Sequence, residues 1–212
     1  MNIIVFGAAG QVGSRIVAEA VSRGHEVTAV IRRESQSSSL GTDVRVLVCD
    51  VSSGDLADPV SGHDFIMSAL RAPSGEEAAI VSLTQAVVEP ARSLGIPFLI
   101  VGGAAPMIVP DSDGHTVLTK PGFLPDAVVP VARASQAQCD WCSTRLDPNG
   151  VVLCPPAMLV PGTRTGTYRT SLDTLVVDDE GNSQISMEDF AVASLDEAEN
   201  RTHAGRLFTV GS

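Results

Sequence analysis

The stretch that decides the fold is Ile3-Ile4-Val5-Phe6-Gly7-Ala8-Ala9-Gly10-Gln11-Val12-Gly13, near the start of a 212-residue chain. Its first four residues are apolar and partly β-branched, which predicts a buried strand. Three glycines follow in the spacing G-x-x-G-x-x-G, and a helical pattern begins directly after them. Glycines in such a turn let backbone N–H groups approach a pyrophosphate at the N-terminus of a helix. A glycine-rich string alone also suits a plain turn, but its place after the first strand predicts dinucleotide binding through Gly7, Ala9, Gly10, Gln11, Val12 and Gly13.

Short apolar runs alternate with helical patterns along the first hundred residues. The runs cover residues 3–6, 26–31, 44–48, 64–68 and 97–101, and the helical patterns cover residues 11–22 and 76–94. Strands that are apolar throughout are typical of a parallel sheet covered on both faces. The sequence therefore predicts a Rossmann-type α/β fold with a doubly wound, mostly parallel sheet and right-handed crossovers.

The second half of the chain is less regular. Residues 102–130 are rich in Pro, Gly and Asp, and we expect a long loop there over the carboxyl edge of the sheet, where ligands bind in open α/β folds. A helix is predicted over residues 132–146, a strand over 151–154, a Gly/Thr-rich excursion over 161–179, a helix over 186–198 and a last strand over 207–210. With no repeat or linker, we predict one domain over residues 1–212 with a small irregular cap on the substrate side.

The composition excludes several classes of partner. The net charge is −11, from 14 Lys+Arg against 25 Asp+Glu, so neither nucleic acid nor an anionic membrane surface is an expected partner. No apolar run reaches the ~18 residues of a membrane span, and the first strand follows Met1 without a secretory signal pattern. We expect a cytoplasmic protein, monomeric or homodimeric, that acts on a small molecule.

The end of the second predicted strand indicates which nucleotide binds. It reads Val30-Ile31-Arg32-Arg33, with no carboxylate to bind the 2′-hydroxyl of NAD. A guanidinium suits the 2′-phosphate of NADP, so Arg32 and Arg33 predict NADP(H) in preference to NAD(H). The alternative is a solvated basic corner.

Other residues at strand ends are expected to complete the cofactor cleft. Asp50 and Val51 follow the third strand, where a carboxylate and the next amide contact adenine in related folds, although Asp50 also suits a helix cap. The fourth strand ends in Ser68-Ala69-Leu70-Arg71. We place the nicotinamide beside Ser68, Ala69, Leu70, Gly102 and Gly103, with Arg71 facing phosphate or capping the edge.

The spacing of the three glycines departs from the G-x-G-x-x-G fingerprint and resembles that of the extended and atypical short-chain dehydrogenase/reductases. Most reductases of that superfamily use a Tyr-x-x-x-Lys pair on the helix after the fifth strand, where the tyrosine protonates a carbonyl oxygen. The single lysine, Lys120, and the single tyrosine, Tyr168, both lie outside the corresponding helix. Carbonyl reduction by that pair is therefore disfavoured.

An acceptor that needs little help from a protein acid is still compatible with the sequence. An oxidised flavin fits, because its N5 takes a hydride while backbone amides and solvent handle the charge at N1. We therefore predict an NADPH-dependent oxidoreductase that transfers hydride to a flavin such as FMN or to a similar conjugated acceptor. The catalytic group is unknown, and His115 and Ser135 are the weak candidates for a proton donor.

Four further motifs carry a closer resemblance. They are Val101-Gly102-Gly103-Ala104, Pro155-Pro156-Ala157-Met158-Leu159, Pro161-Gly162-Thr163-Arg164-Thr165-Gly166-Thr167-Tyr168-Arg169 and Ile185-Ser186-Met187-Glu188-Asp189-Phe190-Ala191. They look like the NAD(P)H-binding, NmrA-like group that includes NADH-flavin reductases and biliverdin reductase B, while residues 106–148 depart from it. Two alternatives stay open: an atypical reductase or epimerase-like enzyme acting on a carbonyl, sugar or secondary metabolite, and a non-catalytic NmrA-like NADP(H) sensor.

The predicted substrate contacts are His115, Pro156, Arg164 and Tyr168. The alternative for His115 is a solvated loop residue, and the alternative for Arg164 and Tyr168 is a structural hairpin. No histidine or cysteine spacing indicates a metal site, and Cys139-x-x-Cys142 on a helix is expected to pack as small apolar side chains. With Cys49 and Cys154 they show no disulfide framework.

Overall fold

A computed structural model of the chain describes residues 1–53 and 56–212, without the side chains of Ser39 and Ser53. Its strands are β1 (Asn2–Phe6), β2 (Glu26–Ile31), β3 (Arg45–Val48), β4 (Phe65–Ser68), β5 (Phe98–Val101), β6 (Gly150–Cys154), β7 (Met158–Val160), β8 (Arg169–Ser171), β9 (Gln184–Ser186) and β10 (Leu207–Gly211). Its helices are α1 (Gln11–Ser22), α2 (Ala57–Val60), α3 (Ala79–Leu94), α4 (Val129–Ser143) and α5 (Met187–Asn200).

The main sheet has eight strands in the order β3-β2-β1-β4-β5-β6-β10-β8. Every pair in it is parallel except β10 with β8. The strand order reverses between β1 and β4, so a crevice opens at their carboxyl ends, which is where such sheets bind ligands. The predicted Rossmann-type, mostly parallel α/β fold is confirmed.

Two apolar layers cover the faces of this sheet, and successive residues of β1 alternate between them. Ile3 and Val5 pack in one layer with residues of α1 and α5. Ile4 and Phe6 pack in the other with residues of α3 and α4. Because both faces are covered, the central strands can be apolar throughout, as the sequence indicated.

The helices largely follow the predicted patterns. α3 is closed by its C-cap Gly95, whose φ of 67° is left-handed. The N-cap of α5 is Ser186, whose Oγ accepts a hydrogen bond from the Asp189 amide at 2.9 Å. α4 begins at Val129, earlier than predicted, because Pro130 lies in the first turn, where a helix needs no N–H donor.

The second half contains short strands that the sequence did not reveal. β7 and β9 form a separate two-stranded parallel sheet, and β8 adds an antiparallel edge to the main sheet. Ile108 forms bridges to Thr116 and to Thr174, so the predicted long loop and the later excursion are joined over the carboxyl side of the sheet. No helix within the described residues is both long enough and apolar enough to cross a bilayer.

Candidate functional site

The first turn approaches the neighbouring backbone too closely for side chains. Gly7 has a φ of 74°, and a Cβ there would lie 2.6 Å from the carbonyl oxygen of Ala69. A Cβ on Gly13 would lie 2.2 Å from the carbonyl oxygen of Gly7. The Gly10 amide closes the turn by donating to the Gly7 oxygen at 2.9 Å. The glycines therefore allow α1 to pack directly on the turn that follows β1.

The N-terminus of α1 is open to a ligand. Its N-cap is Gly10, which has no side chain to cap the helix, and its first turn carries no acidic residue. The first amides of a helix have no partner within the helix, and the helix dipole favours negative charge beside them. This end of α1 therefore has the geometry and the potential to hold a pyrophosphate.

Three predicted cofactor residues lie at the ends of neighbouring strands, Arg32 and Arg33 after β2 and Asp50 after β3. Arg32 and Arg33 are exposed, and neither forms an ion pair with any residue that the structure describes. Asp50 Oδ1 accepts hydrogen bonds from the Ser52 hydroxyl at 2.7 Å and from the Ser52 amide at 3.0 Å. These bonds, with a smaller contribution from nearby Arg32, hold the pKa of Asp50 below its ordinary value. Asp50 thus forms a local turn and lies near Arg32.

The end of β4 lies beside the glycine turn. Ser68 is buried and aligned with Phe6 across the β1–β4 pair. The Ala69 amide donates to the Phe6 carbonyl at 3.0 Å. Leu70 is half-buried and Arg71 is exposed, so the segment emerges from the sheet at the crevice. The structure therefore brings it together with the glycine turn.

Gly102 and Gly103 follow β5, and each packs against a neighbouring element. A Cβ on Gly102 would lie 3.1 Å from both the Cys139 and Cys154 sulfurs. A Cβ on Gly103 would lie 2.5 Å from Ser135 Oγ on α4. Both glycines are thus needed for packing, whatever else contacts them. Ser135 Oγ donates to the Ala132 carbonyl at 3.0 Å.

Three buried cysteines lie beneath these glycines. The sulfurs of Cys139 and Cys154 are 3.9 Å apart, and Cys142 is also buried. Burial raises the pKa of Cys142 to about 12, and contact with Cys139 together with burial raises the pKa of Cys154. All three pack as small buried side chains in the second core layer. Within the described residues, no group of three His, Cys, Asp or Glu side chains could hold a metal ion.

A family model for NAD(P)H-binding proteins matches residues 7–198, which span the glycine turn, the ends of β2 to β5 and most of α5. The chain belongs to this NAD(P)H-binding family. A Bacillus subtilis relative, YwnB, is 32% identical over 214 residues, and the match covers 100% of this chain and 99% of the relative.

Two solved structures extend the comparison within the NAD(P)H-binding fold. A Streptococcus pneumoniae protein described as a "putative NADH-flavin reductase" has a TM-score of 0.89 and 27% identity over 100% of this chain and 99% of its own. A Burkholderia pseudomallei protein described as a "putative exported protein" has a TM-score of 0.87 and 36% identity over 100% of both chains. The resemblance to the family of NADH-flavin reductases is confirmed.

Two of the predicted substrate contacts lie away from the crevice of this NAD(P)H-binding fold. Arg164 forms a two-point ion pair with Glu19, with Nε–Oε2 at 2.7 Å and Nη2–Oε1 at 2.8 Å. Glu19 is eight residues into α1, about 12 Å from its N-terminus. Tyr168 donates from its hydroxyl to Asp196 Oδ2 on α5 at 2.6 Å. These are the contacts of the structural alternative, so we leave both residues out of the proposed substrate site.

The same contacts set the protonation of the groups involved. The hydrogen bonds from Arg164, reinforced by Arg23, lower the pKa of Glu19 to about 2 against the opposing effect of burial. Burial and the bond to Asp196 raise the pKa of Tyr168, which makes its phenol a poor proton donor. Residues 161–169, which we call the strap, are therefore joined to α1 and α5 through the carboxylates of Glu19 and Asp196.

His115 and Pro156 are the other two predicted substrate contacts. His115 is exposed in the loop between β5 and α4, and its backbone bonds to Val109 and Ser112. Pro156 is buried directly after β6. Both follow strands that end at the carboxyl edge of the sheet, and their contact with a substrate stays a prediction.

Proposed function

We propose that the protein binds NADPH and transfers its hydride to a flavin or a similar conjugated small acceptor. The observation that carries the proposal is the open N-terminus of α1, set on a turn that excludes side chains and flanked by Arg32 and Arg33. The family match supports a nicotinamide nucleotide, and the comparison with the NADH-flavin reductase supports the acceptor class.

Each part of the nucleotide has residues suited to it. The first-turn amides of α1 would hold the pyrophosphate, and the exposed pair Arg32 and Arg33 would bind the 2′-phosphate. Asp50 and the Val51 amide would border the adenine. Ser68-Ala69-Leu70 and Gly102-Gly103 would border the nicotinamide, which when bound supplies a hydride from its C4.

The residues of α4 support an acceptor that does not depend on a protein acid. This helix contains neither Tyr nor Lys. Lys120 lies over the ring of Phe123 at 5.7 Å, and Tyr168 donates to Asp196, so the two are not placed as a pair. The protein's part is therefore to hold the nicotinamide and the acceptor in the geometry for hydride transfer, with solvent supplying the proton.

Nucleotide titration and turnover together test the proposal. We expect tighter binding of NADPH than of NADH, and loss of NADPH absorbance on addition of FMN, riboflavin or a soluble quinone. Replacing Arg32 and Arg33 by alanine should weaken NADPH roughly tenfold or more and leave NADH nearly unchanged, since a charge-assisted hydrogen bond contributes about 1.5 kcal/mol or more.

Arg45→Ala is the matched control, because Arg45 is exposed at the opposite end of β3 and has no ion-pair partner among the described residues. Equal losses for both nucleotides in the Arg32/Arg33 variant would end the 2′-phosphate assignment. Binding of NADPH without oxidation by any of the three acceptors would favour the non-catalytic sensor. Turnover only with carbonyl compounds or sugars would favour the atypical reductase or epimerase-like enzyme. The cytoplasmic location and the monomeric or homodimeric state stay predictions.

A further inference from the structure

The inward face of α4 continues past the core as an exposed apolar surface. Ser135, Cys139 and Cys142 follow one another at helical spacing, and both cysteines are only 2% exposed. Val131, in the first turn of α4, and Val128, the N-cap residue just before the helix, precede Ser135 by four and seven residues, the spacing that keeps side chains on one face of a helix. Yet Val131 is 39% exposed and Val128 is 42% exposed.

The position of these two valines above the end of β5 follows from one contact. A Cβ on Gly103 would lie 2.5 Å from Ser135 Oγ, so Ser135 stands level with the segment that follows β5. α4 begins at the carboxyl edge of the sheet and runs toward the start of β6. With a rise of ~1.5 Å per residue, Val131 and Val128 stand about 6 Å and 10 Å further out than Ser135. They overlook the space above Gly103, where we place the nicotinamide.

We call the surface formed by Val128 and Val131 the valine wall. Its chemistry favours an apolar ring over a sugar. Its side chains carry no polar atom, and the hydroxyl of Ser135, one turn further along the helix, already donates its proton to the Ala132 carbonyl. A sugar pressed against the wall would lose hydration from several hydroxyls without gaining partners. A flat conjugated ring would bury the valine methyl groups at no such cost.

We propose that Val128 and Val131 form the apolar wall of the acceptor site, and that the acceptor presents a flat conjugated ring to them. This inference rests on the proposed function. It restricts the acceptor to flat conjugated rings and so argues against the alternative in which the substrate is a sugar. The reduced nicotinamide gives up a hydride to the ring, and a proton from water completes the reduction. The two valines are specificity-determining residues that set how the ring lies over the nicotinamide.

The test replaces both valines by threonine, Val128→Thr and Val131→Thr, which keeps the shape and adds one hydroxyl at each position. For riboflavin and for a soluble quinone we expect KM to rise roughly tenfold while kcat and the Kd of NADPH change little, since hydroxyl burial without a partner weakens ring binding. Ala137→Thr, on the exposed outer face of the same helix, should leave all three constants unchanged.

A second measurement tests ring binding at the valine wall without hydride transfer. Riboflavin binding to the NADP⁺-saturated protein, followed by quenching of riboflavin fluorescence, should weaken by the same factor in the double variant. An unchanged KM and unchanged quenching in that variant would overturn the wall and leave the proposed function standing. Quenching that weakens in the variant, in a protein that oxidises no NADPH, would keep the wall and end the proposed function. A Kd for NADPH that rises as much as KM, or no riboflavin binding by the unsubstituted protein, would also overturn the inference.

Discussion

Gly13 has the tightest approach of any glycine in the described chain, because the Cβ of an alanine there would lie 2.2 Å from the Gly7 carbonyl oxygen. The neighbour is backbone, so either the turn or α1 must move. We expect Gly13→Ala to lower the unfolding midpoint and to weaken NADPH binding at least tenfold, because the helix amides shift away from the pyrophosphate.

Gly41→Ala is the matched control, since a Cβ there meets no atom within 4 Å and the residue is not in the left-handed region. Calorimetry of both variants with a nucleotide titration makes the comparison. Equal affinities for NADPH in the two variants would show that the turn does not position the pyrophosphate.

The glycine turn was predictable because it is a local pattern with a direct physical reason, while the role of the arginine pair stays a prediction. Contacts between distant residues were not predictable. Nothing in the neighbourhood of Arg164 indicates that its partner is Glu19, 145 residues earlier. Likewise, the reason for Gly103 is Ser135, which a long loop separates from it in sequence.

At the scale of the elements, the strap is joined to α1 by the ion pair of Arg164 with Glu19. Glu19 has a pKa of about 2 in the fold against an ordinary value of 4.5. A lowered folded-state pKa stabilises the fold above pH ~4.5, and this contribution is lost as the pH falls from there toward 2. We expect Glu19→Gln to cost on the order of 2 kcal/mol at pH 7, discounted for the exposure of Arg164, and to cost much less near pH 2.

Urea unfolding of the Glu19→Gln protein at several pH values measures this contribution. Glu26→Gln, at an exposed position at the start of β2, should follow the unsubstituted protein throughout. A Glu19→Gln cost that stays the same from pH 7 to pH 2 would contradict the ion-pair account and indicate a loss of packing instead.

The elements that the sequence predicted well are long or strongly apolar, such as β1, α1 and α3. The missed strands β7, β8 and β9 have three residues each, too few for a pattern of alternation to stand out. The valine wall was also missed, because a valine on an inward helix face predicts burial. Its exposure becomes visible only once the helix is placed against the sheet.

At the scale of the whole molecule, the proposed nucleotide site joins elements that are distant in sequence. The ends of β1, β2, β4 and β5 and the start of α1 meet at one crevice, where the strand order reverses. A ligand bound there contacts structure from several crossovers, and the unfolded chain offers it no such site. Binding should therefore stabilise the whole sheet rather than one loop.

We expect NADPH at about a hundred times its Kd to stabilise the fold by about 2.7 kcal/mol, which raises the unfolding midpoint by several degrees. At the same concentration NADH should raise it less, because it has no 2′-phosphate for Arg32 and Arg33. Differential scanning fluorimetry with both nucleotides measures the difference. In the variant with alanine at both arginines, NADPH should raise the unfolding midpoint no more than NADH does, while Arg45→Ala should keep the larger rise with NADPH. An unfolding midpoint that neither nucleotide moves would contradict nucleotide binding at the crevice.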